Sequence, residues 1–191
     1  MFITTLNDIK SHDPCEVLLM PLGKKKGNEP LSLLTVLDTN GFDDAIWCLR
    51  AVAGHDADIR LFAVWCARRV SHLIKHPYSV QAMDVGEDFA YGRASYGRLQ
   101  SVYAYARLAA ISSTEIATSA HINAAYAASY AAYVSDTDTD STDHDDAVCA
   151  VSYATAYAHT AHAFYVGSDE HNAERAAQEA RFRQMLIDGK W

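Results

Sequence analysis

Between Ser101 and Tyr165, alanine supplies 19 of 65 residues and tyrosine 8. No other feature of the chain restricts its fold so strongly. Alanine is the least costly residue to place in a helix, and its single methyl group lets neighbouring backbones come close. Closely packed antiparallel helices are therefore expected, with tyrosines filling the gaps that methyl groups leave. Tyr126, Tyr130 and Tyr133 recur at i, i+4 and i+7, and Tyr153, Tyr157 and, loosely, Phe164 repeat the pattern further on. Each row occupies one helix face. Such a row is either a core face or an aromatic recognition surface, because tyrosine joins a rigid apolar ring to a hydrogen-bonding tip. Aromatics at helical spacing belong to cores more often than to sites. The near-repeats lack the sustained period of about 20 to 50 residues that marks solenoids.

The rest of the chain is punctuated as helices. Asn40-Gly41 is a turn, and Asp43-Asp44 place negative charge at a helix start, where free backbone N–H groups favour it. That helix is expected to reach about Ala53, with Gly54 ending it and Asp56 capping its successor. In the second arm, Ile59, Phe62, Cys66, Val70 and Leu73 form a core stripe, which His76-Pro77 stops. A further helix follows to about Tyr91, Ser95 caps the next, and Leu99, Val102, Tyr103, Ala106 and Ala110 make its inner stripe. Ser112 and Glu115 have capping-box spacing for a helix reaching about Val134. One helix then runs to about Tyr165 and a last one starts at Ser168-Asp169-Glu170. No alternating β-branched run competes, so a sheet is not expected. The expected fold is an all-α, single-domain bundle over residues 1–191, with about seven to nine mostly antiparallel helices. Residues 1–40 form a less regular N-terminal segment and 41–191 the helical core.

A net charge of −8 opposes direct nucleic-acid binding, which depends on basic side chains displacing counterions. Met1 to Asp8 lacks the basic and apolar regions of a secretory signal, and no apolar run is long enough to cross a membrane. Cys15, Cys48, Cys66 and Cys149 show no CxxC spacing and suit a reducing compartment. The expected location is cytoplasmic.

Candidate chemistry is sparse. Asp136, Asp138 and Asp140 resemble the opening of a calcium loop, but Ser141 stands where a sharp turn needs glycine and Ala147 where a bidentate glutamate is needed. The segment reads better as a solvated acidic loop whose last carboxylates, Asp143, Asp145 and Asp146, cap the following helix. His159 and His162 share a helix face without third and fourth ligands to complete a metal site. Arg50, Arg60, Arg68 and Arg69 could clamp an anion, but pairing with Asp43, Asp44, Asp56 and Asp58 is the simpler expectation. No catalytic residue, metal or cofactor is expected.

The stretch Asp44-Ala45-Ile46-Trp47-Cys48-Leu49-Arg50-Ala51-Val52 and the stretch Ile59-Arg60-Leu61-Phe62-Ala63-Val64-Trp65-Cys66-Ala67-Arg68 carry a family resemblance. Together with the close Ala176-Ala177-Gln178-Glu179-Ala180-Arg181-Phe182-Arg183-Gln184-Met185-Leu186, they resemble the alanine-rich immunity proteins of bacteria and phages. The resemblance spans roughly residues 34–186. It implies a helical protein that neutralises a toxin or a host defence factor by binding it, and it brings no catalytic residues. The middle departs from that family, with tyrosine, serine and histidine where arginine and aspartate punctuate the alanine tracts.

The expected function is therefore non-enzymatic: an immunity-like or counter-defence factor that occludes a protein partner, such as a toxin, a defence protein or a nucleic-acid-binding protein. Its expected contact is the acidic loop (Asp136, Asp138, Asp140, Asp143) with the adjoining Tyr126, Tyr130 and Tyr133. One alternative is an enzyme or small-ligand protein whose site gathers His121, His159, His162, Tyr153 and Tyr157 from distant helices. Another is a structural homo-oligomer.

Overall fold

The computed structural model describes residues 1–22, 27–112, 119–133, 143–166 and 168–191. Its N-terminal segment is more ordered than expected and contains a small sheet. Strands β1 (Ile3–Thr5) and β2 (Pro30–Ser32) pair antiparallel, with Ile3 opposite Ser32 and Thr4 opposite Leu31. Helix capping accounts for this departure. Helix α1 (Leu6–Ser11) is capped by Thr5, whose hydroxyl accepts from the Asp8 N–H at 3.1 Å. Helix α2 (Glu16–Leu22) follows, and then α3 (Leu33–Asn40) is capped by Ser32, which accepts from the Leu34 N–H at 3.2 Å. Thr5 and Ser32 are both extended, as capping residues typically are, so the last residue of each strand is already in strand geometry. Three residues are too few to show as an alternating pattern. The segment buries Phe2, Leu6, Ile9, Leu18, Leu22, Leu31 and Leu33 in the main core.

Helix α4 (Phe42–Trp47) tightens into a 3-10 turn over Cys48–Ala51, where one continuous helix was expected. After Gly54, with φ +80°, comes α5 (Asp56–Arg69). Asp56 does not cap it. His55 occupies the cap position, and the Asp56 carboxylate instead meets His144 Nδ1 at 2.5 Å. All five residues of the second-arm stripe are buried. Helix α6 (Pro77–Ala90) begins at the proline, and α7 (Tyr96–Ser112) turns its inner stripe of Leu99, Val102, Tyr103, Ala106 and Ala110 inward.

Helices α8 (Ser119–Ala131) and α9 (Asp143–Val166) carry the alanine bias. Ala120, Ala124, Ala127, Ala128 and Ala131 are buried together with Ala147, Ala150, Ala154, Ala158 and Ala161 in the core shared with α5. A second small cluster, including Ala82, Val85, Val102 and Ala132, joins α6 and α7 to the end of α8. The crossing of α6 over α8 is tight: a Cβ built on Gly86 would sit 2.8 Å from the Ala131 carbonyl oxygen. Helix α10 (Ser168–Asp188) closes the bundle through Phe182, Met185 and Leu186. After Gly189, at φ +72°, the chain folds back so that the Trp191 N–H donates to Asp58 at 2.7 Å, and its ring lies against Phe62 and Trp65. The fold is thus all-α, with ten α-helices among the described residues. The additional helices are the short N-terminal ones. Among the described residues, no helix is long and apolar enough to cross a membrane.

Candidate functional site

The inward face of α8 is alanine, so its larger residues are left for the outside. Tyr126, Tyr130 and Tyr133 lie there half-buried, with Tyr133 in the turn just past the helix end. They are neither core nor fully exposed. Helix α9 leans Tyr153 and Tyr157 against them, and α7 supplies the buried Tyr103 from the other side. Tyr130 is the hub. Its ring stacks on Tyr153 at 4.4 Å and on Tyr157 at 5.4 Å with only 4° between the planes. Tyr126 stacks on Tyr157 at 5.1 Å, and Tyr133 meets Tyr103 edge-on at 5.3 Å. Offset-stacked and edge-on contacts suit the aromatic quadrupole, so the six rings form one ladder across three helices. Tyr103 is only 4 % exposed and anchors it, while Tyr153 keeps 44 % of its surface open.

Burial opposes ionisation of the Tyr130 phenol and pushes its pKa above the ordinary 10, and the neighbouring Tyr157 adds to this; Arg107 pulls the other way. The hydroxyl therefore stays protonated and able to donate at neutral pH. Among the described residues, no tyrosine hydroxyl is both buried and without a hydrogen-bond partner.

Beside the ladder, the outer side of α7 is unexpectedly apolar. Tyr105, Leu108 and Ile111 are exposed, Leu108 by 59 %, and a cleft of about 250 Å³ opens between Tyr103, Ala104, Arg107, Leu108 and Ile111. Tyr105 stacks on Tyr78 of α6 at 5.2 Å. The sequence signal for this face is a helix whose apolar residues exceed its inner stripe. Helix α7 also carries Arg98 and Arg107 and no carboxylate, an exception in a chain of net charge −8.

The expected acidic contact is only partly visible. Asp136, Asp138 and Asp140 lie outside the described residues, and Asp143 opens α9. Asp146, grouped with them as a helix-capping carboxylate of the solvated loop, is instead buried, 3.4 Å from the Tyr96 hydroxyl. The proposed capping box also falls partly outside, because Glu115 is not among the described residues.

The arginines do not pair as expected. Arg68 bonds Asp84 and Glu87, and Arg69 grips the buried Glu174 through both carboxylate oxygens at 2.8 and 2.9 Å. Arg60, only 2 % exposed, donates to the Tyr133 carbonyl at 3.1 Å and lies over Phe89. Arg50 donates to the Trp47 carbonyl. Asp43 is taken by Arg175 and Asp44 by Asn40, while Asp58 meets His55 and Trp191. Successive helix positions point about 100° apart, so neighbouring arginines face different elements and cannot form one clamp.

The five residues of the small-ligand alternative line none of the clefts described, of about 250, 230 and 110 Å³. Tyr153 and Tyr157 are committed to the ladder, and His162 has a buried Nδ1 without a partner. Among the described residues, no three His, Cys, Asp or Glu side chains converge as for a metal. Burial keeps three thiols protonated: it pushes Cys48 up to about 12 and Cys66 well above its ordinary value, and it also raises Cys149. Compared with protein-family models, with curated proteins and with solved structures, the chain has no match.

Proposed function

We propose that this protein is a non-enzymatic binding protein that covers the surface of a partner protein with the tyrosine ladder and the adjoining outer side of α7. The immunity resemblance makes that partner a toxin, a defence protein or a nucleic-acid-processing protein. One observation carries the reading: six tyrosines from three helices share a single stacked face, and five of them keep part of their surface open. Tyrosine offers large amphipathic contact area for few rotatable bonds, so a pre-stacked set loses little entropy when a partner docks. Scale agrees with this. Helix α8 is about 20 Å long and helices pack roughly 8–10 Å apart, so the ladder alone offers on the order of 400 Å². A stable complex buries about 800 Å² per partner. Leu108 and Ile111, which share a cleft with Tyr103, extend the face toward that area.

The test is affinity capture from native-host lysate with the tagged chain and a Leu108→Ser, Ile111→Ser, Tyr153→Ser variant, all three being exposed positions. One partner held by the wild type and lost by the folded variant supports the reading. Recovery of the bait alone counts against it. A parallel Asp136→Asn, Asp138→Asn, Asp140→Asn variant reports whether the acidic segment joins the contact.

Self-association is a second reading, favoured by the same exposed Leu108 and Ile111, since an apolar helix face can close a symmetric dimer. Sedimentation equilibrium of wild type and triple-serine variant separates the two: a dimer that the serines dissolve makes the face a subunit interface.

A further inference from the structure

The ladder also brings phenols together closely enough to react with one another. Tyr130 and Tyr153 are 23 residues apart in sequence, on α8 and α9, yet their rings stack at 4.4 Å with 27° between the planes. This is the closest tyrosine pair among the described residues. We propose that Tyr130 and Tyr153 form an oxidative modification site, at which a one-electron oxidant joins α8 to α9 by a dityrosine bond.

The step balances as follows. Each phenol gives one electron to the oxidant and one proton to solvent, leaving two phenoxyl radicals. The radicals couple through one ring carbon ortho to each oxygen. The hydrogen on each coupled carbon then moves to its own oxygen, which restores both aromatic rings. A carbon–carbon bond has formed, two electrons and two protons have left, and the oxidant has been reduced by two electrons in total.

Three observations select this pair. Rings already in van der Waals contact react as an intramolecular pair at high effective concentration, without the diffusive encounter that two separate chains require. Tyr153 is 44 % exposed and Tyr130 half-buried, so an oxidant reaches the site while most of the pair's apolar surroundings stay intact. The rings of Tyr126, Tyr133 and Tyr157 lie 6.4, 5.9 and 5.4 Å from that of Tyr130, so a radical formed on any of them passes along the ladder to the pair. Tyr78 and Tyr105 are also stacked, at 5.2 Å, but this pair is less close and makes no ring contact with the ladder among the described residues. The product staples α8 to α9 across the face used in the proposed binding function. It forms in the isolated chain, so it stands or falls separately from that function.

The experiment uses the purified full chain in dilute solution, photo-excited ruthenium tris-bipyridyl with persulfate as oxidant, and peptide mass spectrometry with dityrosine fluorescence as readouts. The expected product is a monomer lighter by two hydrogen atoms, in which the peptides bearing Tyr130 and Tyr153 are joined. Tyr153→Phe and, separately, Tyr130→Phe keep the ring but have no phenol, and each lowers the yield at least about tenfold. Tyr91→Phe, at an exposed position outside the ladder, leaves the yield unchanged. A main product linked through Tyr78 and Tyr105, linkage only between chains, or an undiminished yield in the Tyr153→Phe variant with native circular dichroism would overturn the assignment.

Discussion

At the scale of single residues, the molecule treats its polar side chains in two ways. Glu174 is buried and tolerable there because Arg69 presents its guanidinium to both oxygens and Gln178 donates to one of them at 3.3 Å. Tyr130 is kept neutral instead. Its raised pKa gives a signed prediction. Below the ordinary value of 10 the phenol is protonated in both folded and unfolded chains, so its contribution is fully present. As pH rises past 10 the unfolded chain ionises first, which favours unfolding, and the contribution is lost as pH passes through the folded value. Replacing Tyr130 with Phe is therefore expected to flatten the fall in urea stability as pH rises above 10, with ultraviolet titration of the wild type showing a late-ionising phenol that the variant lacks. Residue-level pairing was the least legible property of the sequence. The Arg69–Glu174 contact joins positions 105 residues apart, and nothing in the local pattern distinguishes Glu174 from a nearer carboxylate such as Asp56 or Asp58.

At the scale of elements, the alanine tracts work because their neighbours are small too. Where α6 crosses the end of α8, Gly86 leaves space that a methyl group would take from the Ala131 carbonyl. Gly86→Ala raises helix propensity yet is expected to destabilise the protein by about 1–3 kcal/mol, because overpacking against backbone outweighs the propensity gain of about 1 kcal/mol. Chemical denaturation measures it, and an unchanged or higher midpoint would mean the crossing can open without cost. Most helices were legible from stripes and stops, since a stripe of buried residues at steps of three and four is a property of local sequence. The break at Cys48 was not. Cys48 and Leu49 are both buried in the 3-10 turn, whose Leu49 and Arg50 carbonyls face His144 Nε2 at 3.1 and 3.2 Å, and that contact comes from a helix nearly a hundred positions away.

At the scale of the whole molecule, the two ends of the chain meet on α5. The Phe2 ring stacks on His55 at 3.9 Å, while Trp191 lies against Phe62 and Trp65 with Arg181 over its face at 4.1 Å. The half-buried Trp191 is a closing contact, and Trp191→Ala is expected to lower stability by about 2 kcal/mol, less than the 3–5 kcal/mol typical of a fully buried aromatic. Thermal melting checks it; an unchanged midpoint would show that the terminal turn adds no stability. The ladder is a property of the same scale, because no single helix contains it. The face of α8 holds one row, and the stacked surface exists only once α7 and α9 flank it.

What the sequence determined by itself is what depends on near neighbours: helical class, most helix stops, and the inward stripes of α5 and α7. These follow from propensity and from apolar spacing within a turn or two. What only the tertiary structure decided is where the outward residues go. The tyrosine rows could have been core or surface on the same spacing, and they became a half-buried ladder because alanine already filled the interior side of α8. The same holds for Asp146, which the bundle encloses, and for Leu108 and Ile111, which it leaves outside. Spacing fixes which residues share a face, but only the packing of other helices fixes what that face meets.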